Sequence, residues 1–321
     1  MEIQEIITAF GAYYENSGQN QTRVKKMLTQ GLVTPSICSP IKTDDTIFKL
    51  AKLSLVHVVQ PFQKGWTPRN AAAITPNEIR LFHFKVDEDI WPDDIEATWL
   101  GFLESESVTR KEWPLVRFLI ESGYIPQINN DMELFEYGKG AYVEPAMGVS
   151  GVTGTGMDGL ITLLQRGVEN DTINSVPLGA LTKESIYDQV ETFVDGISQI
   201  YQGIPMSVFM SQTWRKLYLR NKRENGYYFK TSDKEIDESI DFTNQNVVEL
   251  PCLNGTDVIF ATPKENLLHL TKKSSNKTKF SIEESKREVS FLCDWWEGLG
   301  FGMNAAVWTN AIKAVVPPVG G

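Results

Sequence analysis

The sequence predicts an α+β chain in which a terminal arm and an extended two-stranded loop precede a long helix and a mixed α/β unit. Three observations carry this expectation. Two runs rich in apolar and β-branched residues, 53–60 and 79–86, read as antiparallel strands on either side of a long connection that holds Pro61, Gly65, Pro68 and Pro76. Helical patterning extends from 110 to 137. A glycine-rich stretch, 138–159, then separates that helix from a series of mixed helices and strands.

The arm comes first. Ile3, Ile6, Ile7 and Phe10 recur at helical spacing, and Tyr13 and Tyr14 extend the stripe. Gly18 breaks it, a short basic helix over 23–30 ends at Gly31, and Pro35 and Pro40 mark extended chain. An apolar stripe with so little core of its own should lie on another surface. The 61–77 connection follows. Loops of this length with little internal structure are uncommon in compact domains and usually functional. Phe62, Trp66 and Arg69 are large groups for a solvent loop, and aromatics and arginine dominate interface hot spots. They are therefore the candidate inter-subunit contacts; the competing reading folds the loop back on its own domain. The acidic residues from Asp87 to Asp94 match no calcium-loop spacing and read as a solvated face.

In the long helix, Leu115, Phe118, Leu119, Met132, Leu134 and Phe135 supply apolar faces, and Pro126 should kink or divide it because it lacks an N–H. The glycine stretch reads as a junction, followed by a helix from Leu160. Thr182 caps a further helix whose inward residues are Ile186, Val190, Phe193, Val194 and Ile197, reaching about Tyr201. A short buried strand at 206–210 leads into a helix over 212–224 with Trp214, Leu217 and Tyr218 inward. Its other side carries Arg215, Lys216, Arg220, Lys222 and Arg223, either solvated or paired with the acidic stretch 233–241. Strands are expected at 247–250 and 257–261 around an Asn254-Gly255 turn, at 266–270, and in the alternating tail from Glu288.

Composition narrows the function. The 321 residues carry 41 acidic and 31 basic side chains, a formal charge of −10, which opposes a broad nucleic-acid-binding surface. Cys38, Cys252 and Cys293 are too far apart for a zinc motif, and their odd count opposes a disulfide scaffold. No apolar run has the length of a membrane span, and the start lacks the basic region of a signal peptide. The segment Gly154-Thr155-Gly156-Met157-Asp158-Gly159 is a literal GxGxxG before a helix, but Pro145, Gly148 and Gly151 upstream are poor material for the strand a dinucleotide site needs. His57, His83 and His269 show no metal or general-base spacing. No catalytic, cofactor-binding or metal-binding residue is assigned.

The order of features is more specific than any one motif. It resembles the major capsid protein of tailed double-stranded DNA bacteriophages, the Hong-Kong-97-like fold, which encapsulin shells share. Locally the resemblance rests on Gly156-Met157-Asp158-Gly159-Leu160, on residues 260–267 (FATPKENL), and on a closing strand pair within 289–308, which are similar to capsid proteins of phages infecting Bacteroidetes. The resemblance implies an N-terminal arm at 1–48, an extended β-hairpin loop at 49–95 that overlaps a neighbour, a peripheral domain at 96–155 and 272–321 with the long helix as its spine, and an axial domain at 156–271. It further implies self-assembly into hexamers and pentamers that form an icosahedral shell around packaged DNA, without enzymatic activity, cofactor or membrane. Portal, scaffold and auxiliary proteins would be partners, the scaffold as a separate protein because the arm is short. Synthesis would be in the bacterial host cytoplasm and the final location the virion. Lys64 and Asn70 in the loop match no crosslinking motif. Two alternatives stand beside it: an encapsulin-like compartment, and a cytosolic α/β enzyme holding a nucleotide at Gly154–Gly159.

Overall fold

Strands from both ends of the chain meet in the first of the two main sheets, and the second is closed by a strand from the C-terminal part. A computed structural model describes residues 8, 32–55, 59, 61–65, 72–106, 109, 114–224, 238–273, 279–285 and 288–311. Apart from Thr8, the helices expected before Gly31 lie outside the described residues, as do Trp66 and Arg69.

The described chain enters through α1 (Val33–Ile37) and β1 (Ser39–Thr43), then forms a hairpin of β2 (Ile47–Leu55) and β3 (Ala72–Arg80). These two strands pair antiparallel from Ile47↔Arg80 to Leu55↔Ala72. The antiparallel hairpin is present, but neither strand has the expected bounds: the first, expected at 53–60, begins six residues earlier at Ile47, and its partner is shifted as well. The run read as one strand at 79–86 is the end of β3 and the start of β4 (Phe82–Ile90), with buried Leu81 between them donating its N–H to Thr46 O at 2.8 Å. Pro76, expected in the connection, lies within β3 opposite Ala51. A two-stranded sheet has only edges, so a residue without an N–H costs it little. After β4 comes a helix the sequence reading missed, α2 (Pro92–Ser105), with Pro92 at its start and Asp93 and Asp94 in its first turn. Proline at that position and acids against the positive helix end are ordinary start signals.

The long helix does not divide at Pro126. Segments Leu115–Phe118, Leu119–Tyr124, Ile125–Asp131 and Met132–Glu136 follow one another with helical dihedrals at each join, and form α3. The second and fourth are π-helical. Ile125 N–H therefore reaches back five residues to Ile120 O, and the widened turn admits the proline ring. The same widening turns the face. Leu134 and Phe135, expected inward, are exposed, whereas Met132, Glu133 and Glu136 are buried.

Beyond the glycine stretch come α4 (Leu160–Glu169), β5 (Asn174–Ser175), α5 (Ile186–Asp195), α6 (Gln199–Gln202), β6 (Ser207–Met210), α7 (Gln212–Glu224), β7 (Asn246–Glu249), β8 (Phe260–Thr262) and β9 (Leu267–Lys272). Thr182 holds the turn ahead of α5 by exchanging hydrogen bonds with Ser185, so the capping role sits one turn before the helix. The helix expected to reach Tyr201 stops at Gly196 and resumes as α6. Chain-terminal elements are β10 (Lys279–Ser285), β11 (Glu288–Phe301) and β12 (Trp308–Thr309).

The first sheet runs β1-β9-β11-β10, with β4 also on β11. The second runs β5-β12-β8-β6-β7. The strands expected to meet across Asn254-Gly255 are therefore not neighbours: β6 lies between them, parallel to β7 and antiparallel to β8. The closing strands are also not a pair, because β11 stays in the first sheet while β12 crosses to the second. One core joins α3, α4 and the first sheet through Ile128, Met132, Leu160, Leu164, Leu299 and Phe301. Another packs α5 and α7 on the second sheet through Val190, Phe193, Val208, Tyr218 and Ile259. On α7 the supposed cationic face is partly interior. Lys222 is fully buried, its Nζ 3.0 Å from Asp241 Oδ1 and 2.8 Å from Ser239 O, while Arg215 bridges Glu238 and Glu249. The acidic end at 238–241 thus pairs with this helix.

Candidate functional site

The hairpin leaves the first sheet at Arg80, and its described connection presents Phe62 with 92% of its surface exposed and Val59 nearly as open. Of the three candidate contacts, Phe62 is the one that lies among the described residues. Beneath the hairpin base, Ile79 and Leu81 pack with Leu268 and Leu270. Next to this base, a cavity of about 260 Å³ opens between β3, α4 and the end of β11.

The glycine stretch is organised by Glu136, a residue that sequence reasoning did not single out. Its carboxylate accepts the N–H groups of Gly154 at 2.7 Å, Gly156 at 3.1 Å and Met157 at 3.2 Å. The backbone donors that would cradle a phosphate in the GxGxxG reading are thus taken by the chain's own carboxylate. The segment also follows no strand. The ends of α3 and α4 are stitched directly: Leu160 N–H donates to Tyr137 O at 2.7 Å, Ile161 N–H to Gly138 O at 2.9 Å and Gly159 N–H to Gly140 O at 2.9 Å. Unsatisfied carbonyls of one helix thereby serve unsatisfied donors of the next. This needs glycine. A Cβ at Gly138 would stand 2.0 Å from Cys252 O, and one at Gly159 would stand 2.5 Å from Glu136 O. At Gly156 a Cβ would be 2.4 Å from the Phe84 ring. Gly156→Val is therefore expected to destabilise the subunit by roughly 1–3 kcal/mol, the usual cost of overpacking. Melting curves with and without added nucleotide check this; a ligand-dependent difference between parent and variant would restore the nucleotide reading.

The second polar group lies deeper. Tyr137 Oη donates to Glu297 Oε1 at 2.6 Å, His269 Nε2 meets the same oxygen, and Trp295 Nε1 donates to Oε2 at 3.2 Å. Tyr137, His269 and Glu297 are all buried. Burial opposes the charge of Glu297, but attraction to His269 and the hydrogen bonds from His269, Tyr137 and Trp295 outweigh it, so the carboxyl sits below its usual range. For Tyr137, burial first and then the charge of Glu297 push the phenol well up, which keeps it a donor. These residues come from the end of α3, from β9 and from β11. Only folding brings them together, although Glu297 does share the inward parity of Phe291, Cys293, Leu299 and Phe301 along β11.

Glu133 ties the arm to the same helix. It accepts Thr34 Oγ1 at 2.5 Å and Thr34 N–H at 3.2 Å. Burial raises the pKa of Glu133 despite these hydrogen bonds, and burial likewise raises that of Glu136. A raised folded value means that these groups favour the folded state fully below the ordinary carboxylate value and lose that contribution as pH rises through the folded value. The stability of the parent relative to Glu133→Gln should thus decline between pH 4.5 and neutrality; paired denaturant titrations across that interval check the sign. Cys38, Cys252 and Cys293 are buried free thiols, and burial pushes all three upward, Cys252 to about 12, which leaves them unreactive. Among the described residues no group of three acidic, histidine or cysteine side chains is placed to hold a metal ion, and no helix is long and apolar enough to cross a membrane.

No protein-family model matches the chain, and no curated protein matches it. Solved structures do match. The chain is similar to one in "Satellite phage P4 procapsid including size determination (Sid) protein", with a TM-score of 0.55 and 14% identity over 96% of this chain and 97% of that one. Against "Capsid of empty GTA particle computed with C5 symmetry" the TM-score is 0.54 at 14% identity, over 87% and 95% of the two chains. Against "Cyanophage A-1(L) capsid asymmetric unit" it is 0.52 at 11% identity, over 89% and 92%. The agreement extends over 87–96% of this chain and 92–97% of the others, and it identifies the architecture as the Hong-Kong-97-like fold of phage capsid proteins.

Proposed function

We propose that this chain is the major capsid protein of a tailed double-stranded DNA phage. Copies assemble into hexamers and pentamers, and these close an icosahedral shell around the genome. One observation carries the reading: end-to-end likeness in fold to chains from phage capsid structures. In this assignment the 49–95 region contains the hairpin that overlaps a neighbour. Residues 96–155 and 272–321 form the peripheral domain around α3, and 156–271 form the axial domain, with β12 crossing over to complete the axial sheet. The role is structural; capsid-like architecture supports this, and the Glu136 carboxylate occupies the backbone donors of the glycine segment. A subunit with charge −10 encloses DNA without gripping it, which suits a container that must release its contents. The subunit is made in the host cytoplasm and ends in the virion, with portal, scaffold and auxiliary capsid proteins as partners.

Light scattering and negative-stain microscopy of the expressed protein test this. Closed shells, tubes or discrete hexamers and pentamers are expected, alone or with the scaffold protein supplied. A compact monomer or dimer under all these conditions would overturn the reading. Shells that enclose protein cargo and never nucleic acid would instead indicate a compartment of the encapsulin kind.

A further inference from the structure

We infer that the loop over 141–158 is a preformed contact that docks on a second copy of this chain; the inference rests on the capsid reading and names a surface that reading leaves open. The loop is an excursion whose ends are already joined. Gly159 N–H to Gly140 O, Leu160 N–H to Tyr137 O and Ile161 N–H to Gly138 O connect α3 to α4 without it. Its base is a short ladder, Ala141 N–H to Gly154 O at 3.0 Å and Val143 N–H to Thr155 O at 3.1 Å. The Glu136 carboxylate and Asp158, which accepts Tyr142 N–H at 3.2 Å, fix it further. A buried carboxylate is a costly fastening. Here it holds in place a segment whose base anchors to the core through Met157 and through Tyr142, which packs on Phe82 and under Arg80, while 143–153 adds nothing to the buried core.

What the loop displays is apolar. Met147 is fully exposed, and Val143, Val149 and Val152 are 59%, 66% and 73% exposed. Several apolar side chains together on a fastened loop mark a binding surface, because fixing the backbone beforehand removes the ordering cost of association. Charge selects the partner. Glu144 is the one charged residue between Gly140 and Asp158. With no cation the loop cannot engage phosphate of DNA or anionic lipid. Two copies of a chain of charge −10 repel over most of their surfaces, and contact is cheapest where each presents almost no charge. The loop is such a place, so its partner is the neighbouring copy.

Two variants test it: Met147→Ser with Val149→Ser and Val152→Ser, which keeps the backbone and the Glu136 contacts, and replacement of 144–152 by Gly-Gly. Both are compared with the parent for melting temperature and for particle yield by sedimentation and microscopy. The expected result is at least about a tenfold loss of particles, as for removal of hot-spot contacts, with subunit melting close to the parent. Particle yields equal to the parent overturn the proposal. Melting lowered by roughly 10 °C or more in both variants also overturns it, since the loop would then belong to the subunit core. A parent that forms no particles under any condition overturns the capsid reading itself, and is recognised before either variant is made.

Discussion

Glu297→Ala is expected to lower the stability of the subunit by about 3–5 kcal/mol, because buried hydrogen-bonding groups left without their acceptor cost roughly 1–3 kcal/mol each. The substitution leaves the Tyr137 hydroxyl and the His269 ring in the core without the oxygen both now share, and frees the Trp295 indole N–H. A loss of that size should lower the melting temperature by roughly 5–8 °C. The pH dependence identifies the cause. The carboxyl sits below its ordinary value in the folded chain, so its contribution is complete above the unfolded value and disappears as pH falls through the folded one. The gap between parent and variant should thus be constant near neutrality and close in acid, below about pH 4.5. Glu297→Gln, which keeps an acceptor without the charge, should fall between the two. A variant as stable as the parent at pH 7 would show that the cluster contributes no net stability.

The second large effect is on assembly. Replacing Phe62, Trp66 and Arg69 together with alanine is expected to abolish particles while leaving the far-ultraviolet circular dichroism of the subunit unchanged. Among the described residues Phe62 is 92% exposed and belongs to none of the core clusters. Truncation of a hot-spot aromatic or arginine costs about 2 kcal/mol or more, and on the capsid reading the contact recurs at every subunit, so the loss is multiplied over the particle. Sedimentation of freshly expressed protein reads this directly. Particles of ordinary yield would remove the hairpin tip from the interface.

Where the sequence was informative, one element decided its own conformation. The helix Gln212–Glu224 and the strand Ser207–Met210 were legible almost to the residue, because a capped amphipathic stripe and a short apolar run leave few alternatives. α2 was readable from Pro92, Asp93 and Asp94, and was missed because the acids were weighed as a surface patch alone. Pro126 misled for a different reason. Its cost was judged against an α-helix, and the π-helical turn before it removes the clash. The glycine segment, read as a junction between units, links α3 to α4 over one shared core, and the group that fills it, Glu136, comes from the preceding helix and is invisible to spacing. The buried cluster was beyond reach altogether, since 160 residues separate Tyr137 from Glu297. The strand partners of β6 were similarly a tertiary choice, and local turn chemistry at Asn254-Gly255 suggested a hairpin that the sheet order does not contain.

Both main sheets close with strands from the last part of the chain. β4 has no partner until β11 is made, β1 waits for β9, and β5 waits for β12 at Trp308. At bacterial elongation rates of about 5–20 residues per second, ribosomes need on the order of a minute or less for the whole chain, and for most of that time neither sheet can be completed. Such long-range pairing makes folding slow. It also sets an order of events: the two sheets are completed only once β11 and β12 have been made, so on the capsid reading incomplete chains would not seed shells. The arrangement leaves half-made strands exposed meanwhile, and expression at lower temperature or with added chaperones should raise the soluble yield.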